Sequence, residues 1–103
     1  MSVLHITQDN FEQEVLQSQQ PVLLDFWATW CGPCMMMGPI LEDYAAAHPE
    51  YTVGKVNVDE QAGLAAAFQI QSIPTLMVIK EKKATAVAVG VQTPEQLDEL
   101  MSK

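Results

Sequence analysis

Residues 22–28, Val-Leu-Leu-Asp-Phe-Trp-Ala, form a stretch in which Asp25 is the only polar side chain. A strand with one face in water alternates apolar and polar residues, whereas a strand covered on both faces reads as a nearly continuous apolar run. The run is far shorter than the roughly 20 residues of a membrane helix. It is therefore expected to be a central strand with a layer of structure on each side, which places the chain in the α/β class. Asp25 is the anomaly, because an ionised carboxylate is costly to bury.

The rest of the chain supplies those layers. Residues 2–6 read as a short strand. Thr7 to Ser18, with Phe11, Val15 and Leu16 at helical spacing and acids early, read as a first helix. After Cys31–Cys34 a long helix is expected to about His48, its buried stripe marked by Met37, Ile40, Leu41, Tyr44 and Ala45, with Pro39 expected to kink it. Tyr51–Val58 reads as a strand, and Asp59 is expected to cap a short helix carrying Leu64 and Phe68. Thr75–Lys80 and Ala84–Val89 read as a hairpin across Glu81-Lys82-Lys83. Thr93-Pro94-Glu95-Gln96 has a capping Thr, Pro at the first helical position and Gln three residues after the cap, so a last helix starts there with Leu97, Leu100 and Met101 inward. The order β-α-β-α-β-α-β-β-α predicts one domain over residues 1–103, with five strands in a mixed sheet and helices on both faces.

Composition narrows the partners. Thirteen acidic against five basic residues give a net charge of −8, which disfavours nucleic acid and anionic membrane surfaces. The opening Met1-Ser2-Val3-Leu4-His5 lacks the basic and apolar stretches of a secretory signal, so a cytoplasmic protein is expected.

The two cysteines, Cys31 and Cys34, carry the chemistry. A single four-residue disulfide loop would staple almost nothing. A structural zinc site needs four ligands, and only His5 and His48 remain, neither at ligand spacing. No metal is expected. His5 reads as a strand or surface residue, His48 as a helix C-terminal one, and of Met35-Met36-Met37 only Met37 fits the apolar stripe. A redox pair remains. Cys31 sits where the central strand gives way to the long helix, and helix N-termini and Cys-X-X-Cys settings favour the reactive thiolate. Cys31 is read as the nucleophile, and Cys34, one turn on and better shielded, as the resolving thiol. Gly32 allows tight backbone geometry between them and Pro33 stiffens the helix start.

Trp27-Ala28-Thr29-Trp30-Cys31-Gly32-Pro33-Cys34 resembles the active-site signature of the thioredoxin family, and Ser72-Ile73-Pro74-Thr75 resembles its second, cis-proline loop. The likeness extends over the chain in length and element order, with Asp25, Pro39, Lys55 and Gly90 at matching places. It implies the thioredoxin fold and a thiol–disulfide oxidoreductase acting as a general protein-disulfide reductase, with Cys31–Cys34 as its redox-active disulfide. It further implies Asp25 beneath the second cysteine as proton acceptor, with Lys55 nearby, and a cis bond before Pro74. Trp30, Gly32, Pro33, Ile73, Gly90 and Val91 would then form a small apolar docking patch around Cys31, with Pro74 beside it and Trp27 in a packing role. Disulfide-containing proteins would be substrates and a thioredoxin reductase the electron donor, with no cofactor held by the chain itself and a monomer as the working unit. Two features depart from the family pattern: Met35 stands where a basic residue is common, and the last hairpin turn lacks glycine.

Three other readings compete with this one. A glutathione-using relative would want a basic cluster that the chain lacks. An exported oxidase or isomerase commonly carries histidine between its cysteines. An accessory binding module would use the same apolar patch with its redox chemistry incidental.

Overall fold

The computed structural model describes residues 3–103, so Ser2, the first residue of the expected first strand, lies outside the described residues. Five strands form one mixed sheet in the order β1-β3-β2-β4-β5: β1 (Leu4–His5), β2 (Val22–Trp27), β3 (Thr52–Asn57), β4 (Thr75–Lys80) and β5 (Lys83–Val89). β3 runs parallel to both β1 and β2, while β4 is antiparallel to β2 and to β5. β2 is central, and its residues from Val22 through Phe26 are all buried. That is the environment its nearly continuous apolar run predicted.

Alternate residues of β2 serve two cores. Leu23 joins Met37, Leu41, Leu76, Val78, Leu97 and Leu100 on the side covered by α1 (Gly32–Ala47) and α3 (Pro94–Met101). Val22, Leu24 and Phe26 join Ile6, Val15, Leu64 and Met77 on the other side, under α2 (Ala62–Ala67) and a π-helical turn at Glu12–Leu16. With the π-helical turn, four helical elements flank the sheet.

α1 buries Cys34, Met37, Leu41, Tyr44 and Ala45, the three-and-four spacing that a covering helix needs. It runs on through Pro39, whose side is exposed. His48 is its C-cap. The Tyr44 hydroxyl donates to Asp98 Oδ1 at 2.7 Å, tying α1 to α3; burial first, then that bond, hold the phenol above its ordinary pKa. α3 begins with the expected capping box: Thr93 Oγ1 accepts the Gln96 N–H at 3.1 Å, and Gln96 Oε1 accepts the Thr93 N–H at 2.9 Å.

Three local expectations are corrected. The first helix does not run from Thr7. Asn10 Oδ1 takes the Thr7 N–H at 2.8 Å and makes that stretch a turn, and the helical part closes on a Gln17 N–H to Glu12 C=O bond, the wider π spacing. Asp59 does not cap α2; the N-cap is Gln61, which makes no side-chain cap, and its Oε1 instead accepts the Gln8 N–H at 2.9 Å. The last hairpin turns on two residues only, since Lys80 already pairs with Lys83.

Those two residues, Glu81 and Lys82, have φ of 52° and 71°. A two-residue turn matching the twist of its strands needs positive φ at both central positions, which Asn-Gly adopts most easily. Non-glycine residues there cost roughly 1–2 kcal/mol each. The double replacement Glu81→Asn and Lys82→Gly is expected to raise unfolding free energy by about 1–2 kcal/mol in a urea titration, the loss of one chain-stiffening side chain offsetting part of the gain.

Candidate active site

β2 ends at Trp27 and α1 begins at Gly32, so Cys31 falls at the N-cap of α1, at the carboxyl edge of the central strand. Ligands in open α/β sheets bind at that edge. Cys31 is extended there (φ −96°, ψ 112°), and its Sγ accepts the Cys34 N–H at 3.2 Å. It therefore takes the place that a serine or aspartate oxygen fills in an ordinary cap, and the partial positive charge of the helix terminus acts on it. Gly32 and Pro33 occupy the first two helical positions, both exposed, where the missing proline N–H costs nothing.

Cys31 and Cys34 are joined as a disulfide, with their Cα atoms 5.2 Å apart. Both are buried, Cys31 at 6% exposure and Cys34 at 2%. Ala28, with Trp27, Val58 and Ile73 partly covering, closes the apolar surroundings of the pair.

The Ile73–Pro74 bond is cis. The Ile73 carbonyl oxygen lies 3.8 Å from Cys31 Sγ. The next layer is fixed by Gly90, at φ +97°, whose N–H donates to the Pro74 carbonyl at 2.8 Å. Val91 is half-buried and packs toward the core under α1 rather than against the cysteines.

Trp30 is 70% exposed yet held: its Nε1–H donates to Asp59 Oδ2 at 2.8 Å. This role for Asp59 escapes a reading of the sequence alone. The signal for it is the parallel register, which pairs Trp27 with Asn57 and so brings the segments leaving β2 and β3 out side by side. Val58 and Ala28 were missed for the same reason, being apolar residues whose part depends on where neighbouring strands end.

Asp25 is fully buried, between Lys55 on β3 and Leu76 on β4 in the ladder. It shares a sheet face with Leu23, the face that α1 covers, and Cys34 heads the stripe by which α1 covers it. Neither carboxylate oxygen has a hydrogen-bond partner among the described residues. Burial lifts its pKa from 3.8 to about 7, and the positive charge of Lys55 draws it back only in part. Lys55 makes no ion pair with it among the described residues; its Nζ sits 4.1 Å from the centroid of the Trp27 ring, a cation–π contact. An acid that is half-ionised near neutrality can both take and return a proton.

Met35 and Met36 are exposed on the first turns of α1, while Met37 is wholly buried. No helix among the described residues is long and apolar enough to cross a membrane. No group of three or more histidine, cysteine, aspartate and glutamate side chains among them is placed to hold a metal ion.

This geometry has known counterparts. The family model described as Thioredoxin matches residues 2–103. The chain is 46% identical over 98 residues to a protein named thioredoxin from Alicyclobacillus acidocaldarius subsp. acidocaldarius, covering 94% of this chain and 92% of that one. It is 44% identical over 99 residues to the thioredoxin of Haemophilus influenzae, covering 92% and 90%. Against the thioredoxin of Acidithiobacillus ferridurans the figures are 43% over 97 residues, 93% and 90%. With a family match along the chain and a paired Cys-Gly-Pro-Cys capping the helix that leaves its central strand, the chain belongs to the thioredoxin family and is a thiol–disulfide oxidoreductase.

Proposed function

We propose that the chain, acting as a single unit over residues 1–103, is a general protein-disulfide reductase in which Cys31 attacks and Cys34 resolves. The observation that carries this reading is the helix cap. Cys31 Sγ accepts the Cys34 N–H at the start of α1, so a thiolate there meets a ready donor and a favourable dipole.

In the reduced enzyme the Cys31 thiolate attacks one sulfur of a substrate disulfide. The substrate S–S bond breaks, its other sulfur leaves as a thiolate that picks up a proton, and a mixed disulfide joins Cys31 to the substrate. Asp25 then takes the Cys34 proton, and Cys34 attacks Cys31 Sγ. The second substrate sulfur leaves with a proton, and the Cys31–Cys34 disulfide forms. The substrate gains two electrons and the dithiol loses two. Lys55 steadies the ionised form of Asp25 by its charge. A thioredoxin reductase returns the pair to the dithiol, so the chain needs no cofactor of its own. Such a reductant works where thiols are kept reduced, which places it in the cytoplasm, and it works as a monomer.

The patch around Cys31 receives the substrate. Trp30 and Ile73 offer apolar surface, Gly32 and Pro33 leave the approach to Cys31 open, and the backbone at Ile73 pairs with an extended segment beside Pro74, while Gly90 forms the far side and Val91, packed toward the core under α1, backs it. Main-chain pairing explains breadth, because it reads no side chain. The test is dithiol-driven reduction of insulin disulfides. Turnover above the uncatalysed rate, lost in Cys31→Ser, is the expected result; a folded, fully reduced protein without turnover would overturn the reading.

Met35 bears on rate. Replacing it with lysine puts a positive charge one helical turn from Cys31, where attraction through water is on the order of 0.5 kcal/mol. Met35→Lys is expected to speed alkylation of Cys31 by iodoacetamide at pH 7 about twofold, at low salt and less at high salt. An unchanged rate at low salt would contradict this electrostatic account.

A further inference from the structure

The methionines of the described residues fall into two groups. Met37, Met77 and Met101 are buried, and the Met37 sulfur accepts the Gln92 N–H at 3.4 Å. Met35 and Met36 are 47% and 65% exposed. The exposed thioethers among the described residues therefore stand side by side on α1, directly after Cys34.

Their place on the helix turns them toward the cysteine pair. The Met35 N–H donates to the Cys31 carbonyl at 3.2 Å, so Met35 lies one turn below Cys31. Side chains on a helix lean toward its N-terminus and cover the turn before their own Cα. Met35 thus leans over the Cys31 turn. Met36 leans over Gly32, where an added Cβ would meet no atom within 4 Å. The two sulfurs border the open approach to Cys31, and these exposures are those of the disulfide form.

We propose that Met35 and Met36 are oxidation sites whose conversion to sulfoxides weakens the approach of disulfide substrates to Cys31 until the sulfoxides are reduced. The site stands on exposure and helix geometry, while the effect on turnover rests on the reading of the chain as a protein-disulfide reductase. The oxidant is a hydroperoxide. One molecule of hydrogen peroxide turns the Cys31 thiolate into a sulfenic acid and releases hydroxide. Cys34 then attacks that sulfur, water leaves, and the disulfide forms. With the dithiol consumed, further peroxide meets the exposed thioethers. Each sulfur gives an electron pair to one peroxide oxygen, the O–O bond breaks, and the other oxygen leaves as water. The sulfur is oxidised by two electrons and the peroxide is reduced by two.

The two modifications differ in what removes them. A dithiol donor reopens the disulfide, whereas the sulfoxides need sulfoxide reductases, one for each epimer. The disulfide forms in every catalytic turn; the sulfoxides accumulate only where oxidant outruns the supply of reductant. A sulfoxide is polar and uncharged. It makes the border of the approach costly to cover with an apolar segment and leaves the charge near the Cys31 thiolate unchanged.

The test treats the disulfide form of the full chain with hydrogen peroxide, removes the peroxide, re-reduces the pair with dithiothreitol and maps oxidation by peptide mass spectrometry. One added oxygen on each of Met35 and Met36 is expected, with Met37, Met77 and Met101 unchanged at the same time of treatment. Insulin kcat/KM is expected to fall about fivefold and to recover after incubation with both sulfoxide reductases. Alkylation of Cys31 by iodoacetamide is expected to change by less than about 1.5-fold, since no charge is added. The double variant Met35→Leu, Met36→Leu keeps apolar surface without the sulfurs and is expected to hold its own untreated rate through the same treatment. Met35→Gln with Met36→Gln, polar and uncharged, is expected to show the same loss of about fivefold with no oxidant added. Oxidation spread evenly over the methionines, or absent from these two, overturns the site. Sulfoxides at both positions with undiminished turnover, or an equal loss in the leucine variant, overturn the effect. An untreated wild type that fails to reduce insulin counts against the reductase reading, and the mapping still decides the site.

Discussion

Asp25→Asn is expected to make the protein more stable at pH 8 by about 4 kcal/mol and no more stable at pH 4. The carboxyl titrates at about 7 in the folded chain and 3.8 is its ordinary value. Below pH 4 it is protonated in both folded and unfolded states, and its burial carries no ionisation cost. Between about 4 and 7 the unfolded chain releases the proton and the folded chain keeps it, so stability falls by about 1.4 kcal/mol per pH unit. Above 7 the group is ionised in both states and the full cost persists. Asparagine resembles the protonated acid in size and polarity, so it removes this pH-dependent cost and little else. Urea titrations of both proteins across this range check it. Parallel stability curves would mean that Asp25 ionises in the folded chain as freely as in the unfolded one. In the proposed mechanism Asp25 is the proton acceptor of the resolving step, so the same substitution is expected to slow that step by about 100-fold at pH 7. Stability gained with activity lost is what a buried functional acid should show.

Cys34→Ser is expected to reduce insulin turnover by at least about 1,000-fold while leaving the first attack intact. Within the folded protein the resolving thiol is one helical turn from the mixed disulfide, and well-oriented intramolecular groups act as if present at about 10⁵ M or more. With serine at position 34, release must wait for an external dithiol at millimolar concentration. Even a generous allowance for imperfect alignment leaves the thousandfold loss. A burst of one substrate thiol per enzyme, followed by slow turnover at a rate set by external dithiol, is the kinetic signature. Steady turnover near the wild-type rate would show that Cys34 does not resolve.

The elements most legible in the sequence are those whose signals are local or fully buried. The β2 run, the α1 stripe and the Thr93–Gln96 capping box each carry their cause within a few residues, and the structure follows them closely. The redox pair was legible for the same reason, since the strand-to-helix junction and the cysteine spacing lie in one short segment. What was not legible depends on side-chain competition with the backbone or on partners distant in the chain. The stretch after Thr7 looks helical by spacing, but the Asn10 side chain takes the Thr7 N–H and competes with a helical start. Asp59 has the character of a cap and is drawn instead to Trp30, 29 residues away in sequence. β1 is only two residues long, pairing with β3 at Leu4–Gly54 and His5–Lys55, a length that only the position of β3 sets. Asp25 was flagged by its apolar neighbours; the structure adds the absence of any hydrogen-bond partner among the described residues and the place of Lys55 over Trp27.

The central claim is the division of labour between the two sulfurs, and trapping tests it most directly. Reduced Cys34→Ser and Cys31→Ser proteins would each be mixed with insulin, quenched with acid and mapped by peptide mass spectrometry. The account predicts a covalent mixed disulfide on Cys31 in the first protein and none in the second on the same timescale. A mixed disulfide on Cys34 in Cys31→Ser, formed as fast as the Cys31 adduct, would contradict it.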